Sequence, residues 1–420
     1  MSCSSTVRLT RSKFIRSRAR IGSLCAVLVV GCATPRATGA RPTDSQGAPT
    51  PAPVAAEPRE ASLVRPRASG PVTVRLSVSN ADTLELSDAL GRRRRVRRTG
   101  REVALDGEAA RASVELSAGE DGAVSIGNGA YRGRLRISVE DSGAWRVDNV
   151  VDLEDYVLGV VARELGFGDQ PREAWRAQAI AARSYALANL QQRGAARRDP
   201  YLFDGVRDQA YSGEPRAANA RERASLERLR EAVRSTAGLV LTEDDEFVDA
   251  RYHSSCGGRT AEGRAVFPEL RSKCLSSASC EPCAGAPAVQ WNWTARRDEL
   301  NSLARAHALG EELVSLTPRE RDGSQRWITV ELVGDRARKE VRFEELRRAL
   351  GRDKLRSALV LSVWPKAGEP IATGLALRGA GFGHGAGLCQ RGALEHAKRG
   401  WSAERILAHY FSGARIEDRR

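Results

Sequence analysis

The spacing of hydrophobic residues changes period along the chain, and each change marks a different kind of element. Over residues 72–151 apolar and polar positions alternate in short runs, Val72-Thr-Val-Arg-Leu-Ser-Val and Arg134-Leu-Arg-Ile-Ser-Val, with Gly, Asp and Asn between them. A period of two bounded by turn residues predicts strands, hence a small β-rich part. One block interrupts it: residues 92–98 are a nearly unbroken cationic run, which predicts a solvated loop. The period then becomes helical. Asp152 stands at an N-cap position ahead of a stripe of Leu153, Val157, Val160 and Val161, and the next position on that face is Glu164. Gly166 and Gly168 break the chain and Pro171 opens a second helix over 172–190. Its Ala174, Ala177, Ala181, Ala182 and Ala188 permit close helix approach. Beyond it the pattern predicts a charged helix at 216–234, strands within 238–249, a helix at 301–313 and a strand at 327–332. Further helices follow at 343–350 and 388–399, the last stopped by Gly400. Helices and strands follow irregularly without a repeat, so the expected class is α+β rather than a doubly wound sheet.

The first seventy residues behave differently. Residues 1–20 are rich in Arg with no acid and run into an apolar core at 21–30 that is too short to span a bilayer, the layout of a signal peptide. It ends in Val29-Val30-Gly31-Cys32, the form of a bacterial lipobox in which the Cys32 thiol takes the lipid. The following Ala, Pro, Gly and Arg stretch has scarcely a large apolar residue and cannot bury enough surface to fold. The expected organisation is a lipoprotein signal peptide (1–31), a disordered tether (32–71), a β-rich part (72–150) and a catalytic region (151–416). That organisation places the protein in the cell envelope, exported and anchored to a membrane on its periplasmic or outer-surface side.

Composition refines the picture. With 420 residues, 41% hydrophobic and 29% charged, the chain is an ordinary globular protein with room for two or three cores. The net charge of +14 is scattered among many acids, which suits contact with anionic polymers and argues against a nucleic-acid partner.

Two constellations carry candidate chemistry. Glu164 puts a carboxylate where the helical stripe calls for a core residue; desolvation favours the protonated form of a carboxylate, the condition for a general acid. The plainer reading is an ion pair with Arg163, Arg172 or Arg183. Among the cysteines, Cys256, Cys274, Cys280, Cys283 and Cys389 lie in the folded part. Cys280-Glu-Pro-Cys283 and His253-Ser-Ser-Cys256 have the close spacing of zinc ligands, giving the set His253, Cys256, Cys280 and Cys283. In an exported protein a disulfide of Cys256 with Cys274, Cys280 or Cys283 fits as well. The glycine-rich stretch 379–387 lacks the βαβ setting and following acid of a dinucleotide site. It suits close backbone packing beside a cleft, with His384 as a substrate contact or as a hydrogen-bonded structural residue. His307, His396 and His409 fall on helical patterns and read as surface residues.

The segment Asn149-Val-Val-Asp-Leu-Glu-Asp-Tyr-Val-Leu-Gly-Val-Val-Ala-Arg-Glu164, then Trp175-Arg-Ala-Gln-Ala-Ile-Ala-Ala-Arg183-Ser-Tyr185, resembles the signature of the SpoIID/LytB family, the sporulation stage II protein D and amidase-enhancer proteins. The resemblance extends through Asp208-Gln209-Ala-Tyr211-Ser-Gly213, Tyr252-His-Ser-Ser-Cys-Gly-Gly258 and Gly379-Ala-Gly-Phe-Gly-His384-Gly-Ala-Gly-Leu-Cys389-Gln390-Arg-Gly392. Two positions depart from it: Leu165-Gly166 replaces the usual Met-Pro, and Cys389 replaces a serine. The resemblance implies a peptidoglycan lytic transglycosylase with Glu164 as its catalytic acid and base, and Arg183, Gln209, Tyr211, His384 and Gln390 as substrate-binding groups. Its other branch implies a non-catalytic, peptidoglycan-binding enhancer of a cell-wall amidase. A zinc hydrolase built on His253 and the cysteines is a third reading, disfavoured because no His-Glu-x-x-His helix is present.

Overall fold

The computed structural model describes residues 68–120, 122–196 and 199–420. The signal peptide, Cys32 and nearly all of the tether lie outside the described residues. Among the described residues no helix is long and apolar enough to cross a membrane.

The described chain is a mixed α+β structure that opens with a β-rich part. Its first ten strands are β1 (Pro71–Arg75), β2 (Thr83–Ser87), β3 (Arg93–Thr99), β4 (Glu102–Leu105) and β5 (Ser113–Ser117), then β6 (Val124–Ile126), β7 (Gly129–Tyr131), β8 (Arg134–Val139), β9 (Trp145–Asp152) and β10 (Leu202–Phe203). They form two five-stranded sheets, ordered β10-β1-β9-β8-β5 and β4-β3-β2-β6-β7. The alternation that predicts these strands is the alternation of burial: in β8, Leu135 and Ile137 are fully buried while Arg134 and Arg136 face out. The cationic run expected as a loop is β3. Val96 sits fully buried opposite Leu84; Arg94 and Arg98, half-buried on the same face, pair with Asp106 and Asp82, and Arg95 on the exposed face pairs with Glu85. Neutralised guanidinium heads let the strand keep its period of two where charge alone predicts a solvated turn.

Strand β9 runs straight into α1 (Leu153–Glu164), and Asp152 ends the one and caps the other by accepting from the Glu154 N–H at 2.8 Å. Helix α2 (Arg172–Gly194) is the centre of the molecule. Its fully buried Ala174, Ala177, Ala181 and Ala182 leave room for α1, for α3 (Ala220–Arg234), for the strand Leu239–Glu243 and for two C-terminal helices, Gln390–Lys398 and Ala403–Tyr410. The helix expected at 301–313 is Arg297–Ala306; positive φ at Ala308 and Gly310 ends it, and a strand begins at Leu313. Leu388–Cys389, expected as the first residues of a helix, is instead a short strand parallel to Tyr252–His253. His396 is buried under the Trp401 ring, 4.0 Å away and nearly parallel, rather than on the surface.

Residues 290–380 build a core of their own. The strands Gln290–Arg296, Gly374–Ala380 and Val360–Trp364 form one sheet and Leu313–Arg321, Trp327–Gly334 and Arg338–Arg342 another, closed over Trp291, Trp293, Leu300, Trp327 and Phe343. The chain then returns to the central helices, so Leu388–Lys398 meets α2 although some 200 residues separate them.

Candidate active site

Glu164 is the last residue of α1 and half-buried. Its Oε1 accepts from the Ala210 backbone N–H at 2.9 Å and its Oε2 from the Gln390 side-chain amide at 3.0 Å. The Tyr252 hydroxyl also lies against this carboxylate. Burial, reinforced by the Glu164 charge, pushes the Tyr252 hydroxyl well above its ordinary value, so it remains a donor. Arg163, Arg172 and Arg183 are not partners of Glu164: among the described residues it is in no ion pair.

Gln209 organises the far side. Its amide donates to Tyr156 Oη at 3.0 Å and to the Ala182 carbonyl at 3.3 Å, and its Oε1 accepts from the Tyr252 hydroxyl at 2.8 Å. Tyr211 donates to Asn149 Oδ1 at 2.8 Å, and Asn149 is itself tied to the Arg132 carbonyl at 2.8 Å. With Gln209 only 1% and Tyr211 only 5% exposed, these two side chains hold the segment that carries Ala210 rather than reach for a ligand. Two glycines let that segment approach α1. A Cβ on Gly159 would stand 2.6 Å from the Gly213 carbonyl, and one on Gly213, at φ +80°, only 1.8 Å from the Ala130 carbonyl.

Two expected substrate contacts are elsewhere engaged. Arg183 is fully buried, its guanidinium forked onto Glu154 at 2.8 and 2.6 Å and donating to the Leu239 carbonyl at 2.9 Å, which ties α2 to α1 and to the strand Leu239–Glu243. A guanidinium enclosed between elements cannot also face a sugar. His384 accepts from the Ala386 N–H at 3.2 Å through Nδ1 and donates from Nε2 to the Tyr252 carbonyl at 2.8 Å, a pattern that fixes its neutral tautomer. Burial, with His253 and Arg251 nearby, holds its pKa well below 6.5. It therefore positions the strand bearing Tyr252. Gln390 is the one expected contact that touches the Glu164 carboxylate.

Residues 141–242 match the SpoIID family, described as Stage II sporulation protein, and residues 285–387 match a domain of unknown function, DUF8618. Similar proteins include the Stage II sporulation protein D of Bacillus subtilis (strain 168), 27% identical over 65% of this chain and 76% of its own. That of Bacillus amyloliquefaciens is 26% identical over the same shares. An uncharacterized protein of Brachyspira hyodysenteriae is 28% identical over 65% of this chain and 68% of its own. The chain carries a SpoIID domain. Within this SpoIID protein, Glu164, Ala210 and the Gln209–Tyr211 clamp fall in the matched family segment. Tyr252 and Gln390 come from beyond it, and the self-contained core of residues 290–380 coincides with the DUF8618 match.

Behind Gln390 the SpoIID chain gathers four cysteines. Cys256, Cys280, Cys283 and Cys389 are all buried, with their sulfurs within 4.8 Å of one another and Cys283 Sγ 3.6 Å from Cys389 Sγ. The ligand set expected from spacing is thereby corrected: Cys389 takes the place of His253. His253 is not in the cluster; its Nδ1 lies 3.1 Å from the Ala386 carbonyl, and burial followed by the Arg326 charge lowers its pKa to about 3. Sulfurs at the corners of a zinc tetrahedron with Zn–S bonds of about 2.3 Å stand roughly 3.8 Å apart, which these positions fit. Backbone N–H groups of Cys256 and Gly392 point at Cys389 Sγ, both at 3.3 Å, and that of Gly258 at Cys256 Sγ at 3.4 Å; such donors stabilise thiolate ligands. Cys274 stays outside the cluster. Arg326, from the 290–380 module, is fully buried and donates to the Arg259 carbonyl at 2.8 Å and to that of Cys256, bracing the loop that carries the first cysteine.

Proposed function

We propose that this SpoIID-domain protein cleaves peptidoglycan glycan strands as a lytic transglycosylase, with Glu164 as its single proton-transfer residue. The SpoIID domain supports a cell-wall related role. The observation that carries the specific reading is the setting of Glu164: a half-buried carboxylate at a helix end, held by the Ala210 N–H and the Gln390 amide, with no cation paired to it among the described residues. The two donors fix the direction in which the carboxylate points.

One acid is sufficient for this chemistry. Hydrolytic glycosidases use two carboxyl groups, one to protonate the leaving oxygen and one to attack or to activate water. In the proposed reaction Glu164 protonates the glycosidic oxygen as its bond to the muramic anomeric carbon breaks. The 6-hydroxyl of the same sugar attacks that carbon and returns its proton to Glu164, leaving a 1,6-anhydro end and consuming no water. Asp208, the neighbour of Gln209, is not a second acid. Its carboxylate accepts from Arg193, from the Tyr185 hydroxyl at 2.9 Å and from the Phe203 N–H at 2.7 Å, and is fixed as an anchor. The four cysteines would hold a structural zinc that clamps the start of the helix Gln390–Lys398, and Cys32 would carry the lipid that keeps the protein on its membrane. Loss of membrane-fraction retention in Cys32→Ala tests that anchor.

The reaction is tested by digesting peptide-free glycan strands with the detergent-solubilised full chain in ¹⁸O-water. Anhydro ends without label support transglycosylation, and labelled reducing ends mean hydrolysis. Strand binding with no product at all favours the alternative, a non-catalytic enhancer of a cell-wall amidase.

A further inference from the structure

A cavity lies at the other end of the segment that carries Ala210. It measures about 580 Å³ and is bounded by the end of β1, the turn between β8 and β9 and residues 201–207. That volume is in the range of sites for small organic ligands. Its wall combines two kinds of group. Tyr201 and Phe203 are half-buried and meet edge to face with centroids 5.2 Å apart, and Trp145 closes the floor. Arg207 is exposed, lies 4.6 Å over the Phe203 ring and is in no ion pair among the described residues. Arg75, by contrast, stacks on Tyr201 at 4.1 Å but is neutralised by Glu140 and Asp148. The wall also holds the Asp204 carboxylate, turned onto the Ser77 N–H and hydroxyl, so the guanidinium free to meet a ligand is that of Arg207 on the aromatic shelf, which suits apolar ring faces and a carboxylate.

The cavity is rigidly linked to Glu164. The Asp204 carboxylate accepts from the Ser77 N–H and hydroxyl, both at 2.7 Å, and the Asp204 carbonyl accepts from the Tyr211 N–H at 3.3 Å. Ala210, whose N–H holds Glu164, is the residue before Tyr211. The cavity edge and the carboxylate are therefore within roughly 10 Å along bonded and hydrogen-bonded atoms.

We propose that this cavity is a subsite for a carboxylate-bearing sugar of a glycan strand, with Arg207 as the residue that recognises the carboxylate and Phe203 as its stacking surface. The inference rests on the glycan-cleaving reading, from which it inherits the polymer but not the site. Muramic acid freed of its stem peptide supplies such a carboxylate through its lactyl group. A strand seated here is delivered to Glu164 by the same segment that holds the catalytic carboxylate.

The test measures binding of two oligosaccharides of equal length to the full chain in a Glu164→Gln background, where cleavage is removed. One is a peptide-free fragment of glycan strand and the other a neutral N-acetylglucosamine oligomer. Arg207→Gln is expected to weaken binding of the carboxylate-bearing fragment about tenfold and leave the neutral oligomer unchanged, with Arg207→Lys restoring most of the loss. Phe203→Ala is expected to weaken both. Equal affinity of Arg207→Gln and its parent for the charged fragment, equal losses for both ligands, or no binding by the parent would overturn the subsite. If Arg207 proves selective while Glu164→Gln still cleaves strands, the subsite stands and the assignment of Glu164 falls.

Discussion

At the scale of single residues, the molecule separates groups that hold the site from those that can react. Arg183 belongs to the first kind. Replacing it with Ala leaves Glu154, about one-third exposed, facing a void between α1 and α2. Breaking such a pair costs about 3 kcal/mol, so Arg183→Ala is expected to lower the urea midpoint with an unchanged slope. A midpoint equal to that of wild type would contradict the buried-pair assignment. His384 gives a pH dependence. Its folded pKa is depressed below 6.5 while the unfolded imidazole is not, so below about pH 6.5 the unfolded chain binds a proton that the folded chain refuses. The stability present above that pH is lost as pH falls, by at most about 1.4 kcal/mol per pH unit for this one group. Unfolding measured from pH 7 to pH 5 should show a shallower decline in His384→Gln; an identical decline would place the titration elsewhere.

The same scale shows what the sequence could and could not disclose. Glu164 was legible because it breaks an apolar stripe, and Asp152 because a cap needs only local chemistry. Ala210 acts through its backbone N–H, for which a side-chain pattern carries no signal. Arg183 matched the family motif, yet only the fold shows that α1 offers Glu154 to meet it. Tyr252 lay inside a motif already noted, and its phenol beside His253 was the available clue.

At the scale of elements, contacts over long sequence separations decide the site. Spacing favoured His253 as a metal ligand because it is three residues from Cys256, but the parallel pairing of Tyr252–His253 with Leu388–Cys389 brings in Cys389. Nothing in local sequence announces a ligand more than a hundred residues away. The cluster sits at the N-terminus of the helix whose first residue, Gln390, reaches Glu164. Purified protein is expected to contain about one zinc, and Cys389→Ser to lose it together with several degrees of thermal stability, read by metal analysis and calorimetry. Metal-free wild-type protein in which the cysteines are disulfide-linked would contradict this and restore the disulfide reading.

At the scale of the whole molecule, α+β architecture followed from irregular alternation of periods. The number and partition of sheets did not, because strand order depends on pairings that hydrophobic period alone leaves open. The positive run of β3 shows the same limit: its charges were legible, but the carboxylates that neutralise them come from neighbouring strands and turns. The 290–380 module closes over its own core and braces the cysteine loop through Arg326, so it supports the cysteine cluster rather than merely adjoining it. Together these parts present one carboxylate, Glu164, among neutral donors. The most direct measurement compares wild type with Glu164→Gln on peptide-free glycan strands, reading product ends by mass spectrometry and checking that both proteins bind the strand. The account predicts anhydro-muramic ends from wild type and at least a hundredfold fewer from the variant, in keeping with the loss of a general acid and base. Cleavage by Glu164→Gln at the wild-type rate would contradict it.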